Sequence, residues 1–348
     1  MDPVPAAYNI RNAGDKGLGI LATRRIKRGE LVMVDTPFHP LLCFQGLEHP
    51  EATQPLRFFD DGHWQPVHNS FLGLSPEMQA RYLTLTNSAE KEDWIRLHAP
   101  GRPTRADAQV YRIAAKFWEN AFVEPHVRSP KRALYLTAAR LNHSCTPNVE
   151  VRVRCKTEVV DTWCVEVRAV CYIEADAELT ICYVPILSGP DVRSEDLRAR
   201  WDFTCRCVAC DPSVSSDGQI LFEPQSAERR RRLDDQLRES AEIWKNRDAP
   251  LYPGAIELLQ QALDTVKIER LHGGAEGNVH RALSFLFFGR EMFEGAYEHC
   301  VIATEIAVTS LGENSSAVRE MNGMKATFYA KTRAGQAATH PASSVPCS

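Results

Sequence analysis

No stretch of this 348-residue chain is apolar over the length that a bilayer core demands. The opening "MDPVPAAYNIRNAGDKG" also lacks the apolar run of a secretory signal. Excess positive charge is missing too: the formal net charge is -4 at pH 7, which argues against a protein dedicated to coating nucleic acid. These absences lead to the expectation of a soluble, intracellular protein with no membrane partner and no direct nucleic-acid binding. Hydrophobic residues make up 44% of the chain, enough for the cores of two domains.

Cysteine, by contrast, is plentiful, with 11 in the chain. Without a secretion signal they are expected in a reducing compartment, as thiols rather than disulfides. Cys43, Cys155, Cys164, Cys171 and Cys182 fall in apolar or alternating runs and read as small buried hydrophobes. The cluster "CRCVAC" differs, because it follows a polar segment and has no core periodicity. Its Cys205, Cys207 and Cys210 are spaced tightly enough for three thiolates to meet one ion. A closed structural zinc site takes four ligands, and Cys145 in "LNHSCTPNVE" is the best candidate for the fourth. Three unrelated thiols, or a redox pair at Cys207 and Cys210, are the alternatives. A zinc hydrolase is disfavoured, since four cysteine ligands leave no open position for water.

Along the chain, "GDKGLGILATRRIKRGELVMVD" reads as a glycine-rich turn, a strand, a second turn at Lys27 to Gly29, and another strand. "SPEMQARYLTL" and "TRADAQVYRIAAKFWENAF" follow, the latter with Val110, Ile113, Ala114 and Phe117 at helical spacing. They predict a helical insertion between two β portions. "VEVRVRC" and "TWCVEVRAVCYI" predict antiparallel strands with one buried face, "ELTICYV" one more short strand, and Pro147 and Asn148 turn the chain into the first of them. Beyond the linker "DPSVSSDGQ" the helical period dominates, predicting antiparallel helical hairpins. "EGAYEHCVIATEIAVTSLGENSSAV" has the small-large alternation of tetratricopeptide helices, without a clean repeat of about 34 residues. The run "ERRRR" (Glu228 to Arg232) reads as a solvated helix face, with an acidic partner or a nuclear-import signal as alternatives. The carboxyl-terminal stretch 335–348 is expected to be disordered.

Taken singly, the remaining motifs are weak. "GDKGLG" lacks a Walker lysine-serine pair and a Rossmann continuation, and a lone strand-end tyrosine such as Tyr183 is usually structural. Their order is more specific: G-x-G, then N-H-S-C-x-P-N, E-L-T-I-x-Y and W-x-F-x-C-x-C-x-x-C. That order resembles the SET-domain protein lysine methyltransferases, above all the SMYD-type enzymes with a split SET domain and a helical carboxyl-terminal domain. The likeness covers Lys16 to Cys210 well and the helical tail more loosely. It implies an α+β fold: a SET-domain β-fold of short antiparallel strands over 8–187, with a helical insertion at about 45–133. A post-SET zinc-binding segment would follow over 188–212, then an all-α tetratricopeptide-like domain over 219–334. One departure is plain. SMYD-type chains usually carry a MYND zinc finger early in the insertion, whereas Leu42 to Ala133 contains only Cys43, so no such finger is expected.

The resemblance also implies site residues. Lys16, Gly17, Leu18 and Gly19 match the turn that holds S-adenosyl-L-methionine, with Leu18 standing where SMYD-type enzymes often have asparagine. Asn142 and His143 match the pair that contacts this cofactor, Phe203 the aromatic over its adenine, and Asn120 in "WENAF" a further cofactor asparagine. Tyr183 matches the catalytic tyrosine, which also borders the cofactor. Trp201, Phe122 and Phe203 would line the lysine channel, and Cys145, Cys205, Cys207 and Cys210 would hold a structural zinc ion. The implied activity is S-adenosylmethionine-dependent methylation of lysines on histones or other proteins. The partner would be a lysine-containing peptide or histone tail, met by a monomer in the nucleus, the cytoplasm or both. The alternative is a catalytically weak or inactive SET-domain scaffold or reader that binds protein partners. Leu18 and the absent finger favour that alternative, while Asn142, His143 and Tyr183 oppose it.

Overall fold

Short strands with alternating burial build three small sheets in the computed structural model, which describes residues 6–45, 64–87, 104–124, 131–155, 163–211, 225–245 and 254–339. In the first sheet, β1 (Tyr8–Asn12) pairs antiparallel with β2 (Leu18–Ala22). A short 3-10 turn at Gly14–Lys16 joins them, and Gly17 leaves it with φ of 76°, a conformation that favours glycine. Ile20 and Ala22 point into the core with the half-buried Leu21 between them, while Leu18, at the start of the strand on the Ile20 side, is exposed. The second sheet runs β3 (Leu31–Asp35), β9 (Trp163–Ala169), β8 (Val149–Cys155). Trp163, Val165, Val167 and Ala169 supply its inner face. Gly29, with φ of 82°, makes the turn expected ahead of β3.

The insertion contains α1 (Trp64–Leu72), α2 (Pro76–Leu83) and α3 (Arg105–Asn120). The Ser75 hydroxyl accepts the Met78 N–H at the start of α2, and Thr104 with Asp107 forms a reciprocal capping box at the start of α3. Ile113, Ala114 and Phe117, three of the residues read as a helical face, are buried against Val67, Phe71 and Tyr82. The insertion is not wholly helical, however. It ends in a hairpin of β5 (Ala121–Glu124) and β6 (Lys131–Leu134), which pairs with β4 (Cys43–Gln45) to make the third sheet. Strands this short, one directly continuous with α3, do not show enough alternation to be read from sequence.

A helix not foreseen, α4 (Pro190–Trp201), connects the β portion to the cysteine cluster, with its proline in the first turn, where a missing N–H costs nothing. Then come α5 (Ser226–Lys245), α6 (Ala255–Ile268), α7 (Gly274–Gly289), α8 (Phe293–Leu311) and α9 (Ser316–Thr339). Short connections make successive helices pack as antiparallel neighbours around Leu233, Leu259, Val279, Leu283, Cys300 and Phe328. Disorder was expected from residue 335, but α9 continues to Thr339, as its alanine-rich end allows. Residues 340–348, and all of the linker after Asp211, lie outside the described residues. Among the described residues no helix is long and apolar enough to cross a membrane.

The helical layer rests on the second sheet through α8. Arg152 of β8 donates to the Leu311 carbonyl at 2.8 Å, and Glu150 accepts the Gly274 N–H at 2.6 Å. Burial pushes the Glu150 carboxyl up, outweighing the Gly274 N–H and the Ser310 hydroxyl that pull it down. A carboxyl raised on folding stabilises the fold below its unfolded pKa, and that contribution is lost as pH rises through the folded value. Glu150→Gln is therefore expected to melt at or above the wild-type temperature at neutral pH, and to lose that advantage as the pH falls through the range in which the buried carboxyl takes up its proton, in thermal melts across pH.

Candidate active site and thiol cluster

The site is built on an unusual pairing. β7 consists of Asn142 and His143 alone, and it pairs in parallel with β10 (Glu178–Ile181), setting Asn142 against Thr180 and His143 against Ile181. A parallel pair requires a long crossover, supplied here by β8 and β9. The Ser144 N–H extends the ladder to the Ile181 carbonyl at 2.9 Å. Asn148 then clamps β10 from the side: its amide donates to the Glu178 carbonyl at 2.8 Å and its oxygen accepts the Thr180 N–H at 2.9 Å. Its role is thus larger than the turn expected of it.

β10 also faces the glycine-rich turn through Glu178, a residue the motif reading passed over although it opens "ELTICYV". One Glu178 oxygen accepts from Lys16 Nζ at 2.7 Å, the other from Asn142 Nδ2 at 2.7 Å. Asn142 Nδ2 also lies 3.3 Å from the Leu18 carbonyl, so Leu18 contributes its backbone while its side chain is exposed. Gly19 is confined by the same group: a Cβ there would meet Ala13, Glu178 and Asn142 at 2.7–2.9 Å. At Gly17 a Cβ would meet nothing within 4 Å, so the turn presents open space beside this network.

His143 is buried and neutral. Its Nδ1 accepts the Tyr183 N–H at 3.0 Å, which places the ring proton on Nε2, 3.3 Å from Cys145 Sγ. Burial pushes its pKa down to about 4. Tyr183 donates its hydroxyl to the Leu141 carbonyl at 2.6 Å. Burial, reinforced by the Glu178 and Glu119 carboxylates, holds this phenol above its ordinary range. Three rings surround it, with centroids at 5.1 Å for Trp201, 5.3 Å for His143 and 6.5 Å for Phe203. Trp201 ends α4, and Asp202 follows in the left-handed conformation, with φ of 53°. That sharp turn brings both Trp201 and Phe203 to Tyr183. The Trp201 indole N–H donates to the Glu119 carbonyl at 3.3 Å, fastening this wall to the end of α3.

Two expected site residues are engaged elsewhere. Asn120 turns its amide to the Thr86 and Lys116 carbonyls at 3.0 and 2.8 Å, and Phe122 packs edge-on against Tyr135 in the core.

The four expected metal ligands do meet. The sulfurs of Cys145, Cys205, Cys207 and Cys210 all lie within 4.8 Å of one another. Tetrahedral zinc with bonds of about 2.3 Å separates its sulfurs by roughly 3.8 Å, so the all-sulfur set suits zinc closely. The convergence of four thiols leaves little to the alternative of three unrelated ones. A fully buried guanidinium, Arg193, lies 3.9 Å from Cys210 Sγ and offsets the negative charge of a tetrathiolate site. Metal analysis is expected to find one zinc per chain, and Cys145→Ser to lower both zinc retention and melting temperature. Unchanged retention in that variant would remove Cys145 from the ligand set.

Residues 17–184 match the family described as the SET domain. Histone-lysine N-methyltransferase SET5 of Candida glabrata is 35% identical over 89 residues, 26% of this chain and 16% of that protein. Histone-lysine N-methyltransferase SMYD3 of Mus musculus is 35% identical over 100 residues, 27% of this chain and 22% of that protein. N-lysine methyltransferase SMYD2 of Homo sapiens is 30% identical over 133 residues, 37% of this chain and 28% of that protein. The chain thus spans under a third of the length of these relatives in each match. With the parallel crossing of β7 and β10 in place, the chain carries a SET domain across residues 17–184 and shares homology with SMYD2, SMYD3 and SET5.

Proposed function

We propose that this chain is an S-adenosylmethionine-dependent protein-lysine N-methyltransferase whose substrates are lysines of histones or other proteins. The observation that carries this reading is the Tyr183 hydroxyl, fixed on the Leu141 carbonyl inside a wall of Trp201, Phe203 and His143. The relatives' names supply the reaction class. Leu18, which weighs toward the scaffold alternative, meets Asn142 through its backbone carbonyl, a contact that does not depend on its side chain.

The bound cofactor would supply an electrophilic methyl group on a positively charged sulfonium. Residues fit to hold it are Gly17 to Gly19, with open space at Gly17, together with Asn142, the His143 backbone and Phe203. Glu178 keeps Asn142 and Lys16 oriented beside that turn. Because the transfer is an in-line displacement, the protein's task is alignment and exclusion of water. The lysine amine must arrive neutral, although its ordinary pKa of about 10.4 keeps it protonated in water. The aromatic wall provides a low-dielectric path that favours the neutral amine. Tyr183 stays protonated and already spends its proton on Leu141, so its oxygen is left to accept an amine N–H and aim the nitrogen lone pair at the methyl carbon. It acts as an orienting acceptor, not as a base.

Tyr183→Phe is expected to lower methyl transfer by about a hundred-fold with cofactor affinity nearly unchanged. It should also cost about 1–3 kcal/mol of stability, because the buried Leu141 carbonyl loses its donor. A labelled-methyl assay on histones and a cell extract, with calorimetry for the cofactor, separates these effects, and full turnover by the variant on its true substrate refutes the assignment. The pH-rate profile of the wild type should climb with deprotonation of the substrate amine through about pH 9. The raised phenol gives no descending limb in that range. A fall in rate below that pH, traced to Tyr183, contradicts the orienting role.

A further inference from the structure

The basic run Glu228 to Arg232 is not one solvated face. Arg231 and Arg232 are exposed beside Glu228, whereas Arg230 is fully buried and Arg229 turns inward with it. Both inward guanidinium groups meet Glu269, itself buried at the carboxyl end of α6. Glu269 accepts from Arg229 Nε at 2.8 Å, Arg230 Nε at 2.9 Å and the Ser226 hydroxyl at 2.7 Å. The far end of Arg230 leaves the helical layer. Its Nη1 donates to the Cys145 carbonyl at 3.2 Å and to the Ile186 carbonyl at 2.9 Å.

Those two carbonyls belong to the loops that leave β7 and β10. Cys145 follows the Asn142–His143 pair after one residue, Ser144, and Ile186 stands three residues beyond Tyr183. One nitrogen from the helical layer therefore ties together the exits of the two parallel strands that carry the site. A buried ion pair is a poor source of stability compared with apolar packing, because desolvation offsets most of its attraction. What it offers is a fixed geometry: the planar fork of arginine can hold a carboxylate at one end and two carbonyls at the other.

We propose that Arg230, anchored by Glu269, is a positioning residue that clamps the Cys145 and Tyr183 loops, so that the helical domain sets the geometry of the methyl-transfer site. The catalytic part of this proposal rests on the methyltransferase reading above. The clamp itself does not, since it also bears on how firmly the Cys145 loop holds a metal.

The test uses the zinc-loaded 348-residue chain with Arg230→Met, Arg230→Lys and Glu269→Gln. Arg230→Met is expected to weaken S-adenosylmethionine binding and lower kcat, each by about ten-fold, with KM for the protein substrate within about two-fold of wild type. Zinc release to a chromogenic chelator should quicken by about five-fold. Arg230→Lys, whose ammonium cannot span both carbonyls and Glu269, should recover part of each loss. An Arg230→Met chain that melts cooperatively yet keeps wild-type cofactor affinity, kcat and zinc release overturns the clamp. Should that variant fail to fold, Glu269→Gln decides: it retains Arg230 but loosens its anchor. Losses of about three-fold in the same readouts support the proposal, and unchanged values overturn it. If the wild type itself binds no S-adenosylmethionine, the methyltransferase reading falls instead, and the zinc-release rates still judge the clamp.

Discussion

The parallel contact between Asn142–His143 and Thr180–Ile181 is the constraint on which the site depends. It joins two segments far apart in the chain, and only a few backbone bonds hold it directly. Such a short ladder is weak alone, so the surroundings reinforce it at every edge. Asn148 satisfies both a donor and an acceptor of β10, and the His143 ring takes the Tyr183 N–H. The thiol cluster closes the loop just beyond β7. Together these contacts fix the positions of β10, His143 and Cys145, so local stability and site geometry rest on one set of contacts.

Burial sorts the ionisable groups around that crossing. Desolvation keeps the His143 imidazole and the Tyr183 phenol neutral at physiological pH, which removes both as sources of charge beside the proposed substrate channel. Charge is placed to either side of it. Glu178 balances Lys16 at the glycine-rich turn, and Arg193 stands by the sulfur cluster. A buried, uncharged lining of this kind disfavours a charged amine brought against it.

Much of this was legible in the sequence, because alternation and helical period are local signals. β2, β3, β8 and β9 and helices α2, α3 and α5 to α9 all fall on stretches whose pattern predicts them. The motif order located Asn142, His143, Tyr183 and the four cysteines, which the fold gathers together. What escaped depends on contacts between distant segments. Nothing in "ELTICYV" says that Glu178 will reach Lys16 across 162 positions. A run of four arginines gives no sign of which two turn inward, since the answer lies in Glu269, on another helix. Asn120 and Phe122 were placed by analogy alone, and both side chains are occupied by neighbours that the sequence does not bring near.

The bond from Trp201 to the Glu119 carbonyl has a consequence for how such a protein can diverge. It fastens one side of the aromatic wall to the last turn of α3, a helix belonging to the insertion and not to the sheets that carry His143 and Tyr183. The position of the Trp201 ring therefore depends on two segments with separate hydrophobic cores. A change that shifts α3 by repacking Phe117 or Trp118 would move Trp201 without touching His143 or Tyr183. Loops and insertions vary more freely than the sheets they join, so this one attachment lets variation at the periphery reposition an aromatic wall at the centre of the molecule.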